Sequence, residues 1–132
     1  MKYADLHVHS LASDGTFNPV QLVKESLKRN LAAIAIVDHD TVDAIEEAIA
    51  AAKDTDLEII PGIELTAQHE GQEIHILGYF LDYRNPALLE QLKLLQANRV
   101  ERVHKIIKNL KELGVDLDPG AVFKISGKST VG

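Results

Sequence analysis

Ala32-Ala33-Ile34-Ala35-Ile36-Val37 is an unbroken apolar run, and Asp38-His39-Asp40 follows it directly. A parallel sheet is covered on both faces by helices, so its strands read as continuous apolar runs of this kind. Helical patterns flank the run on both sides. Upstream, Asn18-Pro19 predicts a helix start, with Asn18 as N-cap and Pro19 at the first helical position. Val20, Val23, Leu27 and Leu31 predict its apolar stripe. Downstream, residues 41–53 predict a second helix with Val42, Ile45, Ile49 and Ala52 on one face.

Further out, residues 3–8 read as a strand, residues 57–66 as a β segment broken at Pro61-Gly62, and residues 72–81 as a strand fed by a turn at Glu70-Gly71. The order β-α-β-α-β-β predicts an α/β fold with a mainly parallel sheet. The pattern changes after Tyr83. Asn85-Pro86 opens a long helix reaching about Leu113 and stopped by Gly114. Leu88, Leu92, Leu95, Val103, Ile106, Ile107 and Leu110 mark its apolar side. Asp118-Pro119 opens another short helix, and residues 124–132 form a polar tail. The chain therefore divides into residues 1–84 and a helical segment, 85–132.

Composition narrows the function. The 132 residues suit one domain, and 45% hydrophobic content supports a core. The 20 acidic and 14 basic residues, net charge −6, argue against an extended nucleic-acid surface. Nucleotides remain allowed as small substrates, because bound metal ions can supply positive charge locally. Cysteine is absent, which excludes disulfides and thiolate zinc sites. The start of the chain lacks the apolar run of a signal peptide. No stretch approaches the roughly 20 apolar residues of a membrane span. A cytoplasmic location without a membrane partner is expected.

The chemistry-bearing residues gather at strand ends, where parallel α/β folds place ligands. Asp5, His7 and His9 are spaced by two and share one strand face. Two imidazoles beside a carboxylate can chelate a divalent ion. Alone, the pair reads equally well as ordinary polar residues at a strand end. Asp14, in Ser13-Asp14-Gly15, reaches the same centre or forms an Asx turn. Asp40 has a competing role as cap of the second helix; His39 has none and is favoured as a ligand. Glu64 stands in an otherwise apolar stretch, and acidic residues are rarely buried unless paired or metal-bound. His75 lies in a strand near the same set. His69 and His104 read as structural or solvated, and Arg99, Arg102 and Lys105 as an exposed charged face. Ser10, Ser13 and Thr16 have no evident base partner, so a serine nucleophile is not expected.

DLHVHS (residues 5–10), SDG (13–15), VDHDT (37–41), PGIE (61–64) and HILGYF (75–80) resemble, in order and spacing, the PHP (polymerase and histidinol phosphatase) family of metal-dependent phosphoesterases. DHDT, with Asp40 where many relatives have Gly, and the helical segment after HILGYF resemble the small stand-alone subgroup. The resemblance implies a distorted (β/α)7 TIM-like barrel, here its N-terminal half plus a helical insertion. It implies a centre of two or three divalent ions, most often Mn, with Fe or Zn also suited to the donors. His7, His9, Asp14, His39, Glu64 and His75 match the ligand positions, with Glu64 as the bridge. Asp5 and Asp38 match residues that orient the imidazoles, and Asp40 matches a subgroup feature near the site. The implied reaction is hydrolysis of phosphate esters, such as nucleoside bisphosphates or short oligonucleotides, by water activated toward a pKa of about 7. An amidohydrolase-like enzyme acting on C–N bonds and a catalytically incomplete metal-binding module are the alternatives.

The family completes its site with later residues, including a histidine and an Asp-x-His pair. No histidine follows His104, and the chain ends at Ser129-Thr130-Val131-Gly132 where relatives continue into an Arg-Pro-His segment. A missing C-terminal portion, or a homo-oligomer supplying the rest, is expected to complete the barrel, since a half barrel exposes strand edges. The purified 132-residue monomer should accordingly bind metal weakly and hydrolyse phosphate esters slowly, if at all. Robust turnover in a phosphate-release assay would contradict this.

Overall fold

The computed structural model describes residues 3–126, so the polar tail expected at 124–132 lies outside the described residues from 127 onward. Its order is β1 (Tyr3–Val8), α1 (Pro19–Lys28), β2 (Leu31–Ile36), α2 (Ile45–Ala52), β3 (Glu58–His69), β4 (Gln72–Tyr79), α3 (Pro86–Glu112) and α4 (Pro119–Ser126). The sheet order is β1-β2-β3-β4. The first three strands are parallel and β4 runs antiparallel to β3.

The apolar run explains the layering. Side chains alternate across a strand. Ile34 and Ile36 turn toward α1 and α2, packing with Leu22, Val23, Ala48, Ala52 and Leu57. Burying each isoleucine contributes about 1.5–3 kcal/mol. Ala33, Ala35 and Val37 face the other way, with Ile60 and Leu77. These small side chains let the sheet curl: the Tyr79 hydroxyl on β4 donates to the Leu6 carbonyl on β1 at 2.9 Å, across two intervening strands. Leu6 on β1 and Ile74 and Ile76 on β4 remain exposed.

Local signals account for the element ends. Asn18 and Gln21 cap α1 reciprocally, each side chain accepting the other's backbone N–H. Glu70 and Gly71 both have positive φ, as the two-residue β3–β4 hairpin requires. Asn85 caps α3 by accepting from the amides of Ala87 and Leu88.

Three expectations change. The buried side of α1 is Pro19, Leu22, Val23 and Ser26, and Leu27 is exposed; the helix is rolled so that its small Ser26 meets the neighbouring layer. In α2 Ala48 is fully buried while Ile49 is exposed, and the helix starts at Ile45 because residues 38–41 are drawn toward β3 and α3. Pro61-Gly62 does not break β3 but marks where it changes partner. Pro61, lacking an N–H, is the last residue paired with β2, and Gly62 is the first paired with β4. A third cluster, Val42, Ile45, Ile63 and Leu92, seats the first half of α3 against α2 and β3.

Gly62 is required by close approach. A Cβ there would lie 2.6 Å from Val37 Cγ1 and 3.0 Å from the Gly78 carbonyl. Gly62→Ala should therefore destabilise the fold by about 1–3 kcal/mol through overpacking. Urea unfolding should show a lower midpoint; an unchanged midpoint would contradict the handover geometry.

Candidate metal centre

Glu64 anchors the site through its backbone before its carboxylate is considered. His39 and Glu64 form an isolated parallel bridge that extends the β2–β3 pairing past Ile36. The Glu64 amide donates to the Asp38 carbonyl at 3.2 Å, and the Asp40 amide donates to the Glu64 carbonyl at 3.0 Å. The Glu64 side chain is buried in the concave side of the sheet.

Four imidazoles surround that carboxylate. Glu64 Oε2 lies 3.1 Å from His7 Nε2, 3.1 Å from His9 Nε2 and 3.7 Å from His39 Nε2. Glu64 Oε1 lies 2.8 Å from His75 Nδ1. Asp14 joins from the loop after β1, 3.1 Å from His9 Nδ1 and 3.7 Å from His39 Nε2. The structure thus brings together all of His7, His9, Asp14, His39, Glu64 and His75. They form three overlapping sets, His7–His9–Glu64, His9–Asp14–His39 and His39–Glu64–His75, whose donor atoms lie within 4.8 Å of one another.

The donor set fits divalent ions. Two donors each about 2.0–2.2 Å from one ion stand roughly 3.0–3.7 Å apart at ordinary coordination angles. The observed separations largely fall in that range. At 3.7 Å the His39 Nε2 contacts are too long for hydrogen bonds, and His39 Nδ1 is buried without a hydrogen-bond partner. An imidazole so placed is poorly satisfied by the protein alone.

Electrostatics agree. Burial pushes His39 below its ordinary value of 6.5, outweighing the pull of Glu64 and Asp14. Burial raises the Glu64 carboxyl, but the His7 hydrogen bond and the His39, His7 and His9 charges outweigh it, leaving it below 4.5. A neutral imidazole beside an ionised carboxylate is the protonation pattern that metal ligands need.

The surrounding residues differ from expectation. Among the described residues, Asp38 makes no hydrogen bond to an imidazole. Its carboxylate accepts from the Ser10 amide, the Ser10 hydroxyl and the Ser13 hydroxyl at 2.6–2.7 Å, and Ser13 Oγ in turn lies 3.3 Å from His9 Nδ1. It therefore sets the loop that carries His9 and Asp14. That loop also needs Gly15, where a Cβ would fall 2.2 Å from the His9 carbonyl oxygen. Asp5 accepts from the His7 backbone amide at 3.2 Å and likewise fixes main chain rather than a ring. Asp40 does not cap α2. It sits at φ 51°, buried, and accepts from the Thr66 amide and from Arg99 Nε. Arg99 is consequently no solvated charge, unlike the exposed Lys105–Glu101 pair. Glu73, two residues before His75 on the same strand face, lies 3.2 Å from His75 Nε2, a spacing visible in the sequence. His69 is exposed, and His104 packs on Phe123, away from the cluster.

Comparison with known proteins bears on this geometry. The PHP domain family matches residues 5–117. A 5'-3' exoribonuclease of Haemophilus influenzae is 38% identical over 114 residues, 86% of this chain and 42% of that protein. A 3',5'-nucleoside bisphosphate phosphatase of Chromobacterium violaceum is 32% identical over 115 residues, 87% of this chain and 40% of that protein. A solved structure from Bifidobacterium adolescentis, provisionally named a metal-dependent phosphoesterase, superposes with a TM-score of 0.87 at 28% identity, covering 99% of this chain and 46% of that one. The chain spans less than half the length of these relatives. It belongs to the PHP domain family, and its curled four-stranded α/β sheet is part of a PHP TIM-like barrel.

Proposed function

We propose that this chain carries the metal-holding portion of a hydrolase that cleaves phosphate esters of nucleotides. The observation that carries the proposal is Glu64, a buried carboxylate with four imidazole nitrogens within 3.7 Å. His7, His9, Asp14, His39, Glu64 and His75 would hold two or three divalent ions. Imidazole with carboxylate suits Mn, Fe or Zn, and Mn is the preferred reading. When bound, such ions activate water near neutral pH and offset charge on the phosphoryl oxygens. The names of the exoribonuclease and bisphosphate phosphatase relatives support a small nucleotide phosphate as substrate. We read residues 1–84 as the barrel portion and 85–132 as a helical insertion.

The protein's own groups have distinct tasks. Glu64 offers one oxygen toward His7, His9 and His39 and the other toward His75, so it would serve both sets of imidazoles when ions are bound. Glu73 holds His75 Nε2, which leaves Nδ1 as the free donor. The buried Ser10 and Ser13 hydroxyls are bonded to Asp38, so neither is presented as a nucleophile.

The polypeptide, supplied with Mn, should release phosphate slowly from a 3′,5′-bisphosphorylated nucleoside or a short 5′-phosphorylated oligoribonucleotide. Glu64→Gln should lower that slow release at least about 10-fold. Activity on amides alone would overturn the proposal in favour of C–N hydrolysis. A metal-binding module would take up Mn without turnover.

Acid should weaken the metal-free fold in two stages. His39 is held below 6.5, so the unfolded chain takes up that proton more readily and stability falls as pH drops below that value. Glu64 is held below 4.5, so its contribution persists above that value and is lost as pH falls through its folded value. Urea midpoints at pH 8, 6 and 4 should decrease in that order; a rise toward acid would contradict the assignment.

A further inference from the structure

We propose that Arg99 and Arg102, one turn apart on α3, are positioning residues for one half of the metal centre: they set His39 and His75 around Glu64 and leave His7 and His9 untouched. The inference rests on the reading of the cluster as a metal centre.

Each arginine reaches one histidine through one carboxylate. Arg99 Nε donates to Asp40 Oδ2 and Arg99 Nη2 donates to Thr66 Oγ1, both at 2.6 Å. Asp40 directly follows His39, and Thr66 is the cross-strand partner of His75. Gln96, on the same face of α3, donates to the Asp40 carbonyl at 3.0 Å. Arg102 Nη1 donates to Glu73 Oε2 at 3.0 Å, and Glu73 Oε1 lies 3.2 Å from His75 Nε2. Leu92, Gln96, Arg99 and Val103 follow helical spacing on one stripe, whose apolar members are buried. The helix is therefore seated by its core contacts, and its arginines inherit that position. Both line a cavity of about 420 Å³ together with Asp40, Thr66, Gln68 and Glu73.

Stability alone accounts poorly for this arrangement. Arg102–Glu73 is half exposed, and such pairs contribute about 0–1 kcal/mol. Its stronger consequence is local, because a fixed Glu73 carboxylate favours the His75 tautomer protonated at Nε2, with the Nδ1 lone pair facing Glu64. Asp40, at positive φ, needs external support to hold the turn that aims His39. No hydrogen bond or ion pair from α3 to His7 or His9 is found among the described residues.

Cobalt(II) absorption titrations of the chain test this in two backgrounds. In His7→Ala, the two sets that remain, His9–Asp14–His39 and His39–Glu64–His75, both contain His39. There Arg99→Gln/Arg102→Gln and Glu73→Gln should each weaken binding about 10–100-fold. In His75→Ala, Glu73→Gln should have no further effect, because its route runs through His75 alone, while the arginine variant still acts through His39. Equal weakening by Glu73→Gln in both backgrounds, or no weakening by any of these changes, would overturn the proposal. Circular dichroism checks folding, and if the double arginine variant unfolds, Glu73→Gln, on the surface, carries the test. Ring 15N spectra of the metal-free chain separate the two readings. Absence of cobalt binding by the unmodified chain would remove the metal reading, while the arginine double variant should still shift the His39 and His75 signals and spare His7. Unchanged His39 and His75 signals would overturn the positioning role.

Discussion

A buried carboxylate among four imidazoles is the constraint on which the rest of this structure depends. Glu64 could not remain ionised on the concave side of the sheet without partners. His7, His9, His39 and His75 come to it from three other segments of chain. Bringing them within reach needs a sheet that curls enough for β1 and β4 to face one another. The small inward side chains of β2 allow that curl, and the Tyr79–Leu6 hydrogen bond spans it.

The same requirement explains the irregular places. β3 changes partner at Pro61-Gly62, two residues before Glu64. This leaves the carboxylate between the end of β2 and the antiparallel hairpin that carries His75. Residues 38–40 leave α2 one turn short because their backbone is bonded to Glu64 and the Asp40 side chain to Thr66 and Arg99. The Ser10–Asp14 loop folds back on Asp38 and over Gly15, which carries Asp14 to His9. Regular structure supplies the scaffold, and the departures from it place the clustered side chains.

Much of this was legible in the residues. The apolar run before Asp38 announced a doubly covered strand, and Asn18-Pro19 and Asn85-Pro86 announced helix starts, because these signals are local. The six clustered side chains were named from strand-end spacing and family resemblance, and the structure brings them together. What stayed hidden depends on tertiary contacts. Arg99 looked like part of a charged surface, since nothing in its neighbours reveals that Asp40, 59 residues earlier, lies against it. Asp40 looked like a helix cap because capping residues and buried ion-pair partners are the same residue types. Ala48 and Ile49 exchanged places because a close helix contact favours the smaller side chain. Glu73 shares a strand face with His75 by the period-two rule, so its place beside that ring follows from local spacing.

Anomalous scattering from crystals of the chain soaked in millimolar Mn would show whether Glu64 is shared between ions, as proposed. The prediction is at least two peaks, one beside His7 and His9 and one beside His39 and His75, each within coordination distance of a Glu64 oxygen. A single peak, or peaks that leave Glu64 out, would contradict it.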